Sequence, residues 1–551
     1  MEHSTACLDW ERRLVARESI IPAPIFPDQA EQALAIFKSL RVTDLPGKPT
    51  FGECADKWVF DFVAVIFGAY EVDTGRQLIR EYYLLISKKN TKSTIAAGIM
   101  LTATILCWRH DEEHLIVAPT KEVADNSFKP AAGMVRADEE LSVLFHVQDH
   151  TRTITHRNTG AALKVVAADT DTVSGKKAGR VMIDEHWLFG SRAKAEAMFA
   201  ELTGGQVSRN EGWVIYLTTQ SDTAPAGVFK SKLDYFRSVR DGRIVDSKSL
   251  GVLYEFPKAM ADSKAYLDPA NFYVTNPNVG RSVSAEWLED ELRKVVDRRD
   301  GPLQIFLAKH LNIEIGLNLA ADRWAGADFW EVQGDKLVTL DYLLAESEVI
   351  DFGIDGGGLD DLLGVAAVGR QKETGNWLHW AHAWAHPSVL VRRKDIAPRL
   401  RDFERAGELT MVERIGQDVD QVAVIASRIF ESGLLDRVGV DPAGLGGILD
   451  ALEACGIPSE QIVGVSQGWK LSGAIKTLER RLASGSFKHG ALALMAWCVG
   501  NAKIVQVSNA VNITKQASGS AKIDPLMATL NAVSLLALNP AAIGGSFWDV
   551  A

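Results

Sequence analysis

Val181-Met182-Ile183-Asp184-Glu185 ends an apolar run on two adjacent carboxylates. Such a pair suits a nucleotide-hydrolysing site, where Mg²⁺ and the attacking water each need a carboxylate. Asp184 would hold the ion and Glu185 would polarise the water. The plainer reading is a helix N-cap followed by a first-turn acid. A second acidic set lies far along the chain. Asp355 and Asp441 follow apolar segments, Asp361 opens one, and Asp524 enters one. Hard cations want oxygen ligands on rigid elements, and carboxylates converging from two strands and a helix would hold two metals roughly 3.5–4 Å apart for in-line phosphodiester hydrolysis. Asp355, Asp441 and Asp524 would be ligands and catalytic groups together, with Asp361 as a further ligand. Each aspartate alone is as well explained as a turn former or cap. Asp351 and Asp360 are acids easily mistaken for members of the set.

Ser87-Lys88-Lys89-Asn90-Thr91-Lys92-Ser93-Thr94 falls between a strand pattern and a helix pattern, where a phosphate-binding loop belongs. Backbone N–H groups and the helix N-terminus cradle phosphate there, a lysine neutralises β/γ charge, and a hydroxyl helps bind Mg²⁺. Lys92 and Ser93 would fill the last two roles. Thr91 stands where glycine is usual before the lysine, and Ile86 where the first glycine would be, so the alternative is a lysine-rich turn capping a helix. Threonine resists conformations that glycine tolerates, which predicts an altered loop shape rather than loss of activity. Thr218-Thr219-Gln220, at the end of a further strand pattern, could sense the γ-phosphate and couple hydrolysis to movement, or be structural.

These groups need scaffolds. Short apolar runs alternate with helical patterns from about residue 55, the signature of a parallel α/β sheet. Strands are predicted at Tyr82–Ile86, His114–Ala118, Leu163–Ala167, Arg180–Asp184 and Trp213–Thr219. Residues 1–50 read as an irregular leader with one helix from Asp28 to Leu40, and 51–250 as the nucleotide-binding core. Residues 251–330 read as a lid or linker with the turn Thr275-Asn276-Pro277-Asn278. Periodicity fades around 316–345, and a second α/β domain is expected over 340–551.

The chain has 551 residues, 47% hydrophobic and 24% charged, with a formal net charge of −11. That length predicts two or three domains, and the charge argues against a protein that coats nucleic acid throughout. A local basic track is still available at Lys470, Lys476, Arg480, Arg481, Lys488, Lys503, Lys515 and Lys522, opposed only by Glu479. It would be a solvated helix face or a DNA-facing surface. Five scattered cysteines fit reduced thiols rather than a disulfide framework. Met1 to Arg13 does not resemble a signal peptide, and Ile95 to Trp108 is shorter than the roughly 18 apolar residues that span a bilayer. His489 could contact a phosphate but is read as a surface residue. Trp58 could stack on adenine but is read as core.

Taken together, the motifs resemble those of the large terminase subunit of tailed bacteriophages. Lys88-Lys89-Asn90-Thr91-Lys92-Ser93 looks like that family's phosphate loop, Ile116-Val117-Ala118-Pro119-Thr120 its next strand, Ile183-Asp184-Glu185-His186 its acidic motif and Leu217-Thr218-Thr219 its coupling motif. Gly353-Ile354-Asp355 with Asp361-Leu362, then Asp441 and Ile523-Asp524-Pro525, resemble the nuclease positions. Gly490, Asn501 and Lys515 lie in a stretch that is also similar. The resemblance implies a helicase-like P-loop ATPase domain followed by an RNase H-like nuclease domain, using ATP and two Mg²⁺ or Mn²⁺ ions. It implies ATP-driven movement of double-stranded viral DNA into a procapsid and metal-dependent cutting of concatemers, in the host cytoplasm. The implied partners are the DNA, a small terminase subunit and a portal, with a homo-oligomeric ring formed on docking. An arginine from this chain or a neighbour is expected to complete the ATP site; Arg180 and Arg209 are candidates. The competing readings are a repair or restriction helicase–nuclease, which would need strand-separation motifs not found between 250 and 345, and a non-catalytic DNA-binding scaffold.

Overall fold

Apolar runs with few alternating polar positions make strands buried on both faces, and such strands need helices on each side. In the first unit they are Glu81–Leu85 (β1), Glu113–Ala118 (β2), Phe145–Gln148 (β3), Thr153–His156 (β4), Ala162–Ala167 (β5), Ala178–Ile183 (β6), Trp213–Thr218 (β7) and Ser249–Leu253 (β8). They form a sheet in the order β8-β1-β7-β6-β2-β5-β4-β3, parallel from β8 to β5 and antiparallel at the β4 and β3 edge. All five predicted strands are present; β3, β4 and β8 were not predicted. The computed structural model describes residues 3–168, 178–192, 194–298, 302–315, 324–442, 446–507, 510–515 and 522–543. The chain divides into two units, Met1–Ile315 and Gly316–Ala551.

Helices Lys92–Ile105 (α1), Lys121–Arg136 (α2) and Gly227–Arg240 (α3) follow β1, β2 and β7 respectively. The β1–α1 turn, the β6 end and the β7 end therefore share the carboxyl edge of the sheet, where open α/β folds bind ligands. Residues ahead of the sheet are part of its packing. The helix Pro27–Ser39 sets Phe37 against Gly98 of α1, where a Cβ would come within 2.7 Å of that ring. Trp10 lies under the Arg240 guanidinium, 3.7 Å away. Arg240 and Arg237 both grip the buried Glu255 at 2.6 Å.

The second unit holds Ser347–Gly356 (β9), Leu362–Gln371 (β10), Trp377–Ala385 (β11), Leu409–Met411 (β12), Leu435–Val440 (β13), Ile462–Gly464 (β14) and Phe487–His489 (β15). The sheet order is β12-β11-β10-β9-β13-β14, with β15 also pairing with β11. Strands β9, β10 and β11 are antiparallel to their neighbours in turn, while β13 runs parallel to β9. Helix Gln417–Glu431 (α4) packs on one face against Ile350, Phe352 and Ile354. Helix Asp524–Leu536 (α5) packs on the other face with Ala366 and Val368.

Three glycines let α5 settle directly on the backbone of the sheet. A Cβ on Gly353 of β9 would stand 1.9 Å from the Ala528 carbonyl oxygen. One on Gly364 of β10 would stand 2.5 Å from the Pro525 nitrogen, and one on Gly439 of β13 would stand 3.0 Å from Leu535. Gly364 is the register partner of Asp355. The same close approach thus delivers the first residue of α5, Asp524, to the end of β9. A hairpin, Ala502–Val507 (β16) with Ala510–Lys515 (β17), precedes α5.

Candidate active sites

Asp184, wholly buried just past β6, is the fixed point of the first unit's site. Its Oδ2 accepts from the Ser93 hydroxyl in the first turn of α1 at 3.1 Å and from Ser127 of α2 at 3.0 Å. Its Oδ1 accepts from the Glu185 N–H at 2.9 Å. Removal from water and the neighbouring Glu185 push Asp184 up to about 6, against the pull of Lys92 and the two hydroxyls. Lys92 opens α1 almost fully buried, its amine 3.4 Å from the carbonyl oxygens of Ile86 and Ser87. Burial lowers its pKa while Glu185 and Asp184 oppose the shift. This is a dry cation beside two carboxylates at a helix N-terminus, an arrangement fit for phosphate.

The loop keeps its turn without glycine. Thr91 is left-handed at φ 59° and Lys89 at φ 73°, conformations that cost an L-residue about 1–2 kcal/mol each. Asparagines reaching in from the 276–278 turn hold it there. Asn90 donates to Asn276 Oδ1 at 2.9 Å, and the Asn278 amide donates to the Asn90 carbonyl at 3.2 Å and Thr91 Oγ1 at 3.3 Å. Asn278 Oδ1 in turn accepts from the Trp58 indole at 2.8 Å. Trp58 is therefore a buried brace for the loop. Lys88 and Lys89 are exposed, and Thr94 lies in the first turn of α1.

Glu185 is left-handed too, at φ 50°, and its Oε2 accepts from the Trp187 indole N–H at 2.7 Å. The Trp187 backbone N–H donates to Thr218 Oγ1 at 3.0 Å, which links the acidic pair to the β7 end. The Thr218 hydroxyl itself donates to the Thr219 carbonyl at 2.7 Å. The Gln220 N–H donates to Asn312 Oδ1 at 3.2 Å, and the Gln220 carbonyl accepts from the Lys309 amine at 2.9 Å.

In the second unit Asp355, Asp361, Asp441 and Asp524 repel one another. Asp355 is pushed up to about 8 by removal from water and by Asp524, Asp441 and Asp361. Asp524 is pushed up to about 7 by burial and by Asp361, against Lys522. Asp524 Oδ2 is buried with no hydrogen-bond partner among the described residues. Asp361 takes the buried Lys522 amine, which also donates to the Asp360 carbonyl at 2.9 Å. Among the described residues no three acids or imidazoles are grouped closely enough to hold a metal as they stand. The charge they share is nonetheless one that only a cation or protons can relieve, so the donor set fits a divalent ion.

Two family models match the chain: terminase large subunit, ATPase domain, over residues 58–237, and terminase large subunit, endonuclease domain, over 251–539. The chain belongs to the terminase large-subunit family. The second match begins at 251, although residues through Ile315 belong to the first structural unit. The large terminase subunit of Enterobacteria phage HK97 is 22% identical over 451 residues, 81% of this chain and 82% of that protein. Protein YmfN of Escherichia coli (strain K12) is 21% identical over 349 residues, 61% of this chain and 74% of that protein. The crystal structure of the HK97 large terminase is similar over 92% of this chain and 99% of that chain, at 19% identity and a TM-score of 0.46.

This terminase subunit departs from several sequence expectations. Within this chain both candidate arginines are engaged by other groups. Arg180 lies half-buried on β6 and donates to the Ala103 carbonyl at 2.9 Å, and Arg209 is paired with Glu112 at 2.9 Å. His489 is not a surface residue: it stacks on Trp330 with centroids 4.1 Å apart and hydrogen-bonds the Trp330 carbonyl at 2.7 Å. The basic stretch is thinner than its composition implies. Lys470, Lys476 and Arg480 are exposed, but Arg481 covers the Trp377 ring, Lys488 bonds Gln333 and Lys522 is buried. The Lys515 side chain lies outside the described residues. Asn276 and Asn278 were legible only as a turn, and Lys309 and Asn312 had no local signal, since each meets its partner far away in the sequence.

Asn278→Ala removes two bonds to the loop and orphans the Trp58 indole. The expected result is a loss of about 2 kcal/mol in stability and roughly 10-fold weaker ATP binding, read by melting and nucleotide titration. Unchanged nucleotide affinity would show that the loop holds itself.

The raised acids carry a pH signature. An unfolded aspartate loses its proton near 4, whereas folded Asp355 keeps it to about 8. The folded state therefore binds the extra proton between those values, and its contribution to stability falls as pH rises through that window. In EDTA, Asp355→Asn should be more stable than the parent by ~1–2 kcal/mol at pH 8.5, with the gap closing by pH 5. Buried histidines of opposite sign are common to both proteins and cancel. A gap independent of pH would mean that Asp355 is ionised throughout.

Proposed function

We propose that the first unit hydrolyses ATP with Lys92 neutralising β/γ-phosphate charge and Lys88, Lys89, Asn90, Thr91 and Thr94 completing the loop around the phosphates. Ser93 and Asp184 would hold Mg²⁺, which when bound neutralises charge on the phosphate oxygens. Glu185 takes a proton from the water whose oxygen bonds the γ-phosphorus as the bond to the ADP oxygen breaks. The observation that carries this reading is the 3.1 Å contact between the Ser93 hydroxyl and Asp184, which brings a helix N-terminus and a strand-end carboxylate to one point. Residues after 251 act as a lid on the loop through Asn276 and Asn278. Thr218, Thr219 and Gln220 couple phosphate release to movement, a role supported by the Thr218 link to Trp187.

The endonuclease is metal-dependent in this reading. Asp355, Asp441 and Asp524, with Asp361, would hold two Mg²⁺ or Mn²⁺ ions, which would supply an activated water and charge stabilisation at the leaving oxygen. The mutual repulsion of these acids supports it. The whole chain then drives double-stranded viral DNA into a procapsid, as a ring docked on a portal and supplied by a small terminase subunit, in the host cytoplasm. No helix among the described residues is long and apolar enough to cross a membrane.

Glu185→Gln should reduce ATP turnover at least ~100-fold while ATP still binds. Asp355→Asn and Asp441→Asn should abolish plasmid cutting in Mg²⁺ or Mn²⁺, as EDTA does for the parent, without moving the ATPase rate. Cutting that survives EDTA and both substitutions would remove the metal site, and full turnover in Glu185→Gln would remove the base.

A further inference from the structure

Lys309, in the helix Pro302–Leu311, touches the phosphate loop, the β7 end and Trp187. Its carbonyl accepts from the Lys88 N–H of the phosphate loop at 2.7 Å. Its amine donates to the Gln220 carbonyl and lies over the Trp187 ring, 2.8 Å from the centroid. Trp187 is the residue whose indole holds Glu185. The lysine is only 7% exposed, and its nearest carboxylate, Asp222, is 4.0 Å away. An ammonium has three donors, and one backbone carbonyl and an aromatic face leave it under-satisfied for a buried charge.

We propose that Lys309 is the cation that recognises the γ-phosphate from the lid, leaving the Gln220 carbonyl and the Trp187 face when ATP arrives. Its withdrawal frees the indole that holds Glu185, so the base is released only when a third phosphate is present. The inference rests on the assignment of this pocket as the ATP site. Burial pushes the amine down to about 7, with Lys88 and Lys92 pushing the same way and Asp222 and Glu185 opposing. A triphosphate supplies the anion that this environment lacks. A second lysine alone could be a structural tie between lid and strand end. The Trp187–Glu185 bond beneath it is what points to chemistry.

The test uses the full chain, with ATPγS and ADP as probes. Lys309→Met fills the same space without charge. It should weaken ATPγS binding roughly 10- to 100-fold, leave ADP within about 2-fold, and slow turnover by a similar factor, with Lys309→Arg recovering most of it. In the parent, ATPγS but not ADP should change tryptophan emission, and the change should vanish in Trp187→Phe, which identifies the reporter among 14 tryptophans. Equal losses for ATPγS and ADP, or no loss for either, would overturn the proposal, as would an emission change shared by both nucleotides. If Lys309→Met misfolds, the emission difference in the parent still decides. Failure of the site assignment itself would show separately, as undiminished turnover in Glu185→Gln.

Discussion

Carboxylates kept from water at the ends of apolar strands are the constraint on which both units turn. An ionised carboxyl in a dry site costs several kcal/mol unless something answers its charge. The two units answer differently. Around Asp184, two hydroxyls and a backbone N–H are already in place, so that acid is held at a fixed orientation before any ligand arrives. Around Asp355 and Asp524 the neighbours are other acids, and the one buried lysine is taken by Asp361. The first cluster is organised by hydrogen bonds; the second is a set of acids that raise one another's proton affinity.

Strain in the ATP site follows the same logic. Thr91, Lys89 and Glu185 all adopt left-handed backbone, which isolated chains avoid and which persists only where surroundings over-determine it. The over-determination comes from the 276–278 turn and from Trp187. A glycine loop would relax once its phosphate leaves. This loop is clamped by side-chain amides from a different part of the unit, so its shape depends on the 276–278 turn and not on glycine's freedom.

Much of this was legible in the residue order. Unbroken apolar runs fixed five of the parallel strands, and Asp184, Asp355 and Asp441 stand out because each ends such a run. Asp524 was legible from the Pro525 that starts its helix. What was hidden is of two kinds. Asn276, Asn278 and Lys309 act on partners near residues 90 and 220; the turn at 275–278 was legible, but nothing in it named those partners. The sequence cannot say which way a charged side chain points: Arg180 donates to the Ala103 carbonyl, Arg209 pairs with Glu112, and Lys522 is buried among acids rather than exposed on a basic face. His489 failed for the same reason, since a lone histidine beside a lysine reads as surface until Trp330 covers it. The antiparallel edge strands β3 and β4 are short and partly polar, which blurs their period against loop.

The glycine floor beneath α5 makes the second site unusually exposed to inheritance. Gly353, Gly364 and Gly439 carry no chemistry, yet a single added methyl at Gly353 collides with the Ala528 carbonyl and must lift the helix that begins with Asp524. A lineage could therefore lose the geometry of this acidic cluster while every acidic residue is still spelled out in its genes. Judged by its aspartates alone, such a descendant would look intact.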